Sequence, residues 1–167
     1  MPELPEVETV RLALEQRIKN KKIRSINIRR RDLRKKIPDY LEEHLIDSKM
    51  QEFDRLGKHL LIHLSNGWTW MIHLGMSGRI SIIDGKKSPT SNYIFNADFE
   101  EGFHGKHDHV IVELSDNSLI VFNDPRRFGS MDISETSLLS DHQSLSNLGP
   151  DPTRKEWSAS LWSKNLL

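Results

Sequence analysis

The chain begins Met1-Pro2-Glu3, a start that could place a reactive amine at its end. If the initiator Met1 is removed, the nitrogen of Pro2 becomes the terminal amine. An α-amino group has a reference pKa of about 7.7–8.0, far below that of a lysine side chain, so a usable fraction is unprotonated near neutral pH. Amines attack aldehyde-like carbons to give Schiff bases, and Glu3 beside it could move protons. Residue types alone leave this open, because many chains begin Met-Pro without consequence.

Two turns carry side chains that could enter a stack of bases. The segment 123–129, Asn-Asp-Pro-Arg-Arg-Phe-Gly, follows a predicted strand and combines hydrogen-bond donors with an apolar Phe128. Proteins that push between base steps use this pairing. The segment 73–78, His-Leu-Gly-Met-Ser-Gly, ends another predicted strand and presents Met76. Residue types alone favour the alternative, in which Phe128 packs into the core and Met76 fills a gap there.

Basic residues are concentrated in one segment, since 11 of the 24 Lys and Arg lie within 17–36, against one acid, Asp32. This basic segment is either a solvated face or a phosphate-binding stripe, because each cation that neutralises a phosphate releases counterions. The segment 106–109, Lys-His-Asp-His, contains residue types that bind metal ions and is a candidate metal site. With no Cys and no helix to align its side chains, hydrogen bonds to phosphate or to a substrate are favoured. Lys58 precedes a strand, where a lone Lys ordinarily faces solvent.

Composition excludes several classes of protein. The chain has 167 residues, which suits one domain of ordinary size, and its net charge is +0. The absence of Cys excludes disulfides, thiolate nucleophiles, Cys-based zinc sites and iron–sulfur clusters. Charged residues make up 29% and are interleaved with apolar ones, unlike a disordered chain. Neither a signal peptide nor a membrane helix is predicted, so a cytoplasmic location is expected.

Hydrophobic periodicity predicts the elements that must position these residues. Apolar residues at three- and four-residue spacing predict a helix over 3–18, and Pro38 starts a short helix through Leu45. Period-two patterns predict strands over 22–30, 49–55, 60–64, 68–73, 79–83, 109–114 and 118–122. Asn66-Gly67 predicts a hairpin between two of them. The predicted fold is α+β and β-rich: an antiparallel β-sandwich of about eight strands with an N-terminal helix and a short second helix.

Two stretches lie outside this pattern. The segment 84–105 shows no periodicity and is expected to be a long loop, of the kind that is usually functional or disordered. After Met131 the pattern predicts short helical pieces.

Six segments occur in an order that resembles a known family. They are 1–9 (Met-Pro-Glu-Leu-Pro-Glu-Val-Glu-Thr), 55–58 (Arg-Leu-Gly-Lys), 73–78, 106–109, 124–129 and 148–152 (Leu-Gly-Pro-Asp-Pro). Together they resemble the bacterial formamidopyrimidine-DNA glycosylases, from the first residue to about 152. Leu4 favours this family over its sister family, endonuclease VIII, whose members typically begin Pro-Glu-Gly-Pro-Glu.

The resemblance implies excision of oxidised purines, 8-oxoguanine and formamidopyrimidines, followed by strand cleavage at the abasic site through β,δ-elimination. It implies that Pro2 attacks C1′ of the damaged nucleotide and forms a Schiff base, and that Glu3 protonates the sugar ring oxygen. Lys58 resembles a catalytic lysine that contacts the phosphate next to the lesion. Glu6 resembles a buried helix carboxylate that supports the site.

The resemblance also implies how DNA is held. Extruding a damaged nucleotide leaves a gap in the duplex, and the side chains implied to fill it are Met76, Arg126 and Phe128. The implied phosphate contacts are His73, His107 and Arg127. These roles favour two interpretations that residue types alone had left open. Met76 and Phe128 act as an apolar wedge in the base stack, and the terminal amine of Pro2 acts as the nucleophile. A metal site at 106–109 becomes less favoured still. The expected partner is double-stranded DNA with oxidised purines or abasic sites, bound by a bacterial, nucleoid-associated monomer.

Members of this family continue with a helical domain that carries a helix–two-turns–helix element and with a four-cysteine zinc finger. No cofactor is therefore expected in this Cys-free chain, and zinc only in a longer family member. We expect the catalytic domain over 1–135, and a linker with the start of a truncated helical domain over 136–167. The first hypothesis is the catalytic part of a bifunctional glycosylase/lyase, weak or inactive as a truncation. The alternative is a non-catalytic DNA-binding remnant of the same family.

Overall fold

The computed structural model describes residues 4–83 and 106–142. In those ranges the helices are α1 (Leu4–Ile18) and α2 (Leu41–Leu45), with a 3₁₀ helix at Thr136–Asp141. The strands are β1 (Ile23–Ile28), β2 (Met50–Leu56), β3 (His59–Leu64), β4 (Trp68–His73), β5 (Arg79–Ile83), β6 (Asp108–Leu114), β7 (Leu119–Asn123) and β8 (Ser130–Glu135). The predicted loop 84–105, the segment 148–152, Pro2 and Glu3 lie outside the described residues.

The strands form two four-stranded antiparallel sheets. The first sheet has the order β1-β6-β7-β5 and the second has the order β2-β3-β4-β8. Apolar side chains from both sheets, such as Trp70 of the second and Phe122 of the first, are buried in one core cluster. The predicted β-rich sandwich is therefore confirmed.

Helix α1 closes one side of this core. Pro5 lies in its first turn, where the missing backbone N–H has no intrahelical partner to lose. Val7, Val10, Leu14 and Ile18 are all buried and form one stripe that joins the core cluster. The stripe follows the three- and four-residue spacing that predicted the helix.

The hairpin between β3 and β4 turns where the sequence predicted it. Gly67 has a φ of +84°, which side chains with a Cβ rarely adopt. The Asn66 side chain donates 2.7 Å to the carbonyl oxygen of His44. The turn is thereby tied to the end of α2.

The expectation of helical pieces directly after Met131 was wrong. Residues 130–135 form β8, which pairs with β4 as the edge strand of the second sheet. Met131 and Ile133 are buried whereas Asp132 and Ser134 are half-buried, so the side-chain period is two. Two apolar residues are too few to reveal that period in the sequence, and the ladder to β4 supplies the remaining order. The helical stretch begins only at Thr136.

A buried ion-pair network fastens α1 to β2. Arg55 is fully buried and its Nε donates 2.8 Å to Oε1 of Glu8. Arg11 donates 2.6 Å to the other oxygen of the same carboxylate and 2.9 Å to the carbonyl oxygen of Phe53. Burial raises the pKa of Glu8, but the hydrogen bonds and charges of Arg11 and Arg55 outweigh it and hold that pKa at about 2. Glu8 therefore stays ionised well below neutral pH.

We predict that Glu8→Gln destabilises the chain at pH 7 by about 1–2 kcal/mol, because two guanidinium groups lose a charged acceptor. A lowered folded-state pKa gives stability that is present above the unfolded value of about 4.3 and is lost as pH falls toward 2. The difference in free energy of unfolding between the wild-type chain and Glu8→Gln should therefore shrink as the pH falls from about 4 to 2. Urea unfolding at pH 7, 4 and 2.5 measures this difference.

The matched control is Glu15→Gln on the same helix. Glu15 contacts Arg11 at 3.4 Å and is more exposed than Glu8, so its loss should cost less than about 0.5 kcal/mol. A cost for Glu8→Gln that does not change with pH would contradict the assigned role.

Candidate functional site

Two connections between the sheets meet at one end of the sandwich. Residues 74–78 link β4 of the second sheet to β5 of the first, and residues 124–129 link β7 of the first sheet to β8 of the second. A Cβ on Gly75 would lie 2.4 Å from the carbonyl carbon of Phe128, and Gly75 has a φ of +64°. Only glycine permits this approach. We call 73–78 and 124–129 the wedge turns.

One buried carboxylate joins the wedge turns. Asp124 is fully buried, and its Oδ2 accepts from the backbone N–H of Gly129 at 2.7 Å. Its Oδ1 accepts from the hydroxyl of Ser77 at 2.6 Å and from the N–H of Arg127 at 3.2 Å. The Ser77 oxygen in turn accepts from the N–H of Arg126 at 3.1 Å. The two turns are therefore held as one unit.

This unit exposes the side chains that were predicted to fill a gap in DNA. Met76 is 42% exposed and Phe128 is 37% exposed, so neither fills the core as the alternative supposed. The guanidinium carbon of Arg126 lies 4.7 Å from the centroid of the Phe128 ring. A planar cation stacked on an aromatic ring is a stable pair of the kind that also stacks on bases. The structure thus places these three residues on two adjoining turns.

His73 lies at the base of this unit as a neutral donor. The backbone N–H of Gly75 donates 3.0 Å to its Nδ1. That nitrogen must carry a lone pair, so in the neutral ring the proton is on Nε2. Burial lowers the pKa of His73, and the charges of Arg34 and Lys58 lower it further. At neutral pH, His73 can therefore offer an N–H to an anion.

His109, which belongs to the segment 106–109 singled out in the sequence, supports the wedge turns from beneath rather than facing a ligand. It is buried, and its Nε2 lies 2.8 Å from the carbonyl oxygen of Asp124, which can only accept. His107, a predicted phosphate contact, is half-buried with its ring centroid 6.3 Å from that of His109. The segment 106–109 had suggested polar contacts, but nothing in it distinguished the supporting residue from the contacting one.

Lys58 lies in the tight turn between β2 and β3, beside the same site. Gly57 before it has a φ of +58°. His59 after it pairs in register with His73, and the two rings are 4.7 Å apart between centroids. Burial lowers the pKa of His59 to about 4, so this ring is neutral at physiological pH. The structure therefore brings Lys58 close to His73, as the predicted phosphate contacts require.

Two predicted site residues have surroundings that differ from those expected. Glu6 is exposed on α1, whereas the resemblance implied a buried carboxylate. On the same helix Glu8 faces β2 and accepts from the buried Arg55, and the supporting role of Glu6 stays a prediction. Arg127 has a φ of +57°, and its Nη1 donates 2.6 Å to a side-chain oxygen of Asp32 and 3.1 Å to its carbonyl oxygen. Its guanidinium is thus engaged within the protein.

Among residues 4–83 and 106–142, no group of three or more His, Asp or Glu side chains is arranged to hold a metal ion. None of the helices in these two ranges is long and apolar enough to cross a membrane.

Comparison with known proteins identifies the family. The model of the formamidopyrimidine-DNA glycosylase N-terminal domain matches residues 1–131. The chain belongs to this family. It is 42% identical over 152 residues to the formamidopyrimidine-DNA glycosylase of Dinoroseobacter shibae, covering 91% of this chain and 51% of that protein. The Rhizobium etli enzyme is 40% identical over 169 residues, covering 99% and 56%.

Solved structures of this family share the fold. The Lactococcus lactis Fpg protein in complex with DNA containing an abasic site matches with a TM-score of 0.72 and 28% identity, over 90% of this chain and 50% of that one. Its complex with DNA containing FAPY-dG gives the same score and identity. The chain spans about half the length of the relatives it matches.

We predict that Asp124→Asn separates the two wedge turns. An amide has one acceptor oxygen where the carboxylate has two, so a buried backbone N–H loses its partner at a cost of about 1.5–3 kcal/mol. Amide exchange should rise most at Gly129 and less at Arg127, whose N–H also donates 3.2 Å to the backbone carbonyl oxygen of Asp124, whereas Ser77→Ala should raise it at Arg126. Hydrogen exchange followed by NMR measures each site. The control amide is that of Thr136, bonded at 2.8 Å to the carbonyl oxygen of Gly67 at the other end of the sandwich, and it should not change.

Proposed function

We propose that this chain carries the catalytic site of a DNA glycosylase that removes oxidised purines, 8-oxoguanine and ring-opened formamidopyrimidines, from double-stranded DNA. The observation that carries the proposal is the pair of wedge turns, locked by Asp124 and exposing Met76, Phe128 and Arg126 together. Family membership supports the reaction class, and relatives in complex with DNA containing an abasic site or FAPY-dG support the ligand.

The wedge turns suit the first step, extrusion of the damaged nucleotide. Leaving the stack costs a few kcal/mol, which an apolar side chain entering the gap offsets. Met76 and Phe128 supply that apolar surface. The guanidinium of Arg126 can donate hydrogen bonds to the base left without a partner. Because the two turns are joined, these side chains enter the duplex as one body.

The chemical step is assigned to the terminal amine. The lone pair of the Pro2 nitrogen attacks C1′ of the extruded nucleotide, and the base leaves with the electron pair of its bond to C1′ and gains the proton that the amine loses. Glu3 gives a second proton to the ring oxygen as the bond from C1′ to that oxygen breaks and the sugar opens. The product is an iminium linking Pro2 to the sugar. Loss of a proton from C2′ then expels the 3′ phosphate, a second elimination expels the 5′ phosphate, and water releases the amine. This is the proposed β,δ-elimination of an abasic-site lyase.

Phosphate contacts fix the strand while this occurs. Lys58 supplies a charge close to the wedge turns, and His73 supplies the Nε2–H that its tautomer leaves available. His107 adds a second imidazole near the end of β7. The neutral imidazole of His73 binds phosphate with a smaller desolvation cost than a buried cation would. These contacts position DNA without reading its sequence.

Borohydride trapping tests the nucleophile. A chain that has lost Met1 should form a covalent adduct with duplex DNA containing an abasic site, and peptide mapping should locate the DNA on Pro2. A chain with Gly-Ser added before Pro2 has the same fold but an amide at that nitrogen, so it should form no adduct. Equal adduct yields from the two proteins would refute the assignment. Binding without any adduct would favour the non-catalytic DNA-binding alternative.

Phe128→Ala tests the wedge. Removing its ring should slow excision of a base-paired 8-oxoguanine by roughly 10- to 100-fold, because stacking on an aromatic side chain contributes about 1–3 kcal/mol per base. Cleavage at a preformed abasic site should change much less, since no paired base must be extruded. The matched control is Leu138→Ala, which truncates an apolar side chain that is 50% exposed in the 3₁₀ helix. Single-turnover rate constants on the two substrates measure this difference. An equal loss of rate on both substrates would contradict a role of Phe128 in extruding the base.

A further inference from the structure

The basic segment 17–36 is largely neutralised by acids of this same chain. Six of its eleven cations make ion pairs: Lys21 with Asp116, Lys22 with Asp47, Arg24 with Glu113, Arg30 with Asp32, Arg31 with Glu42 and Lys36 with Asp39. A cation that already has a carboxylate partner must share or give up that contact before it can bind a phosphate, which reduces its net gain. The segment as a whole is therefore not a uniform phosphate-binding stripe.

Arg34 and Lys35 stand apart from the paired cations. Both side chains are exposed, and neither makes an ion pair with any residue in the described ranges. Their neighbour Lys36 is equally exposed but lies 3.3 Å from a side-chain oxygen of Asp39. Arg34 and Lys35 are therefore two adjacent exposed cations that make no ion pair in the described ranges, and the charge of Lys35 acts on the carboxylate of Asp132, whose pKa it lowers.

The backbone holds these two residues in a fixed loop. Leu33 and Ile37 are buried on either side of them, at 7% and 0% exposure. The N–H of Ile37 donates 2.9 Å to the carbonyl oxygen of Arg31, and a β-bridge joins Asp32 to Lys36. Residues 34–36, which we call the basic loop, therefore project from an anchored base.

The basic loop lies against the wedge turns. The backbone N–H of Arg34 donates 3.3 Å to the carbonyl oxygen of Gly129. Arg127 fastens the other side through its bonds to Asp32, whose pKa the hydrogen bonds from Arg30 hold at about 2, so that carboxylate stays charged. The charge of Arg34 also lowers the pKa of His73, which places it on the same edge as the predicted phosphate contacts.

We propose that Arg34 and Lys35 form a phosphate clamp that holds the backbone of duplex DNA beside the wedge turns. The inference rests on the proposed function for its ligand. Arg34 can bind a phosphate through two parallel N–H donors, and Lys35 adds a point charge next to it. Arg30 and Arg127 share the carboxylate of Asp32, which holds the Arg127 guanidinium within the protein, so Arg34 and Lys35 are the cations of this edge that have no carboxylate to release.

Salt titration of a labelled, undamaged 15-base-pair duplex tests the clamp without requiring catalysis. Arg34→Gln and Lys35→Gln should each weaken binding several-fold at low salt. Each should also reduce the slope of log K against log salt by about 0.9, the value expected for one lost phosphate contact. Lys36→Gln, in the same loop but paired, and Lys19→Gln, at the start of the basic segment, are the controls and should leave the slope unchanged. Equal urea midpoints confirm that all four variants fold.

An unchanged slope in Arg34→Gln and Lys35→Gln would overturn the proposal, as would equal losses in Lys36→Gln and Lys19→Gln, or no duplex binding even at low salt. Failure of the proposed function gives a different result. In that case the wild-type chain forms no borohydride adduct, while binding still depends on Arg34 and Lys35.

Discussion

The candidate site depends on one buried carboxylate. A fully buried Asp124 is tolerated only because donors surround it, and those donors come from both connections between the sheets. The carboxylate therefore does more than stabilise one turn. It sets the distance between the end of the first sheet and the end of the second at the place where the exposed side chains must act. Gly75 allows the close approach, and Asp124 makes it favourable.

Under the proposed function, the rigidity of the wedge turns has a physical reason. Extrusion of a nucleotide is uphill, so side chains that replace the lost stacking must already be in position when the gap opens. Flexible turns would add the cost of ordering to the cost of unstacking. The hydrogen bonds of Asp124 order the two turns before DNA binds, so the cost of ordering them is already met. The contact between Arg126 and Phe128 orients the two exposed side chains relative to each other. The same logic explains His109, which lies beneath the turn and holds its backbone.

The sequence predicted what depends on local pattern. Helix α1 and seven of the eight described strands were predicted from the spacing of their hydrophobic residues. Asn66-Gly67 predicted the hairpin because its turn requires a residue with positive φ, which Gly67 adopts. It missed β8, whose order comes from pairing with β4. The roles of Asp124 and Ser77 were also out of reach, since 47 positions separate them and neither is unusual in a turn. The partnership of Glu8 with Arg55 likewise needed the structure, since 47 positions separate them.

Charge in this molecule has to be considered locally. A net charge of +0 gives no long-range attraction to DNA. At physiological salt, however, charges act over only about 8 Å, so the cations beside a phosphate matter more than the total. Most of the basic segment is compensated by nearby acids, which limits non-specific binding along that face. Cations without an ion pair remain where the basic loop meets the wedge turns. Under the proposed function, a neutral chain can therefore still direct a phosphate backbone to that edge, because fewer carboxylates compete with the phosphate there.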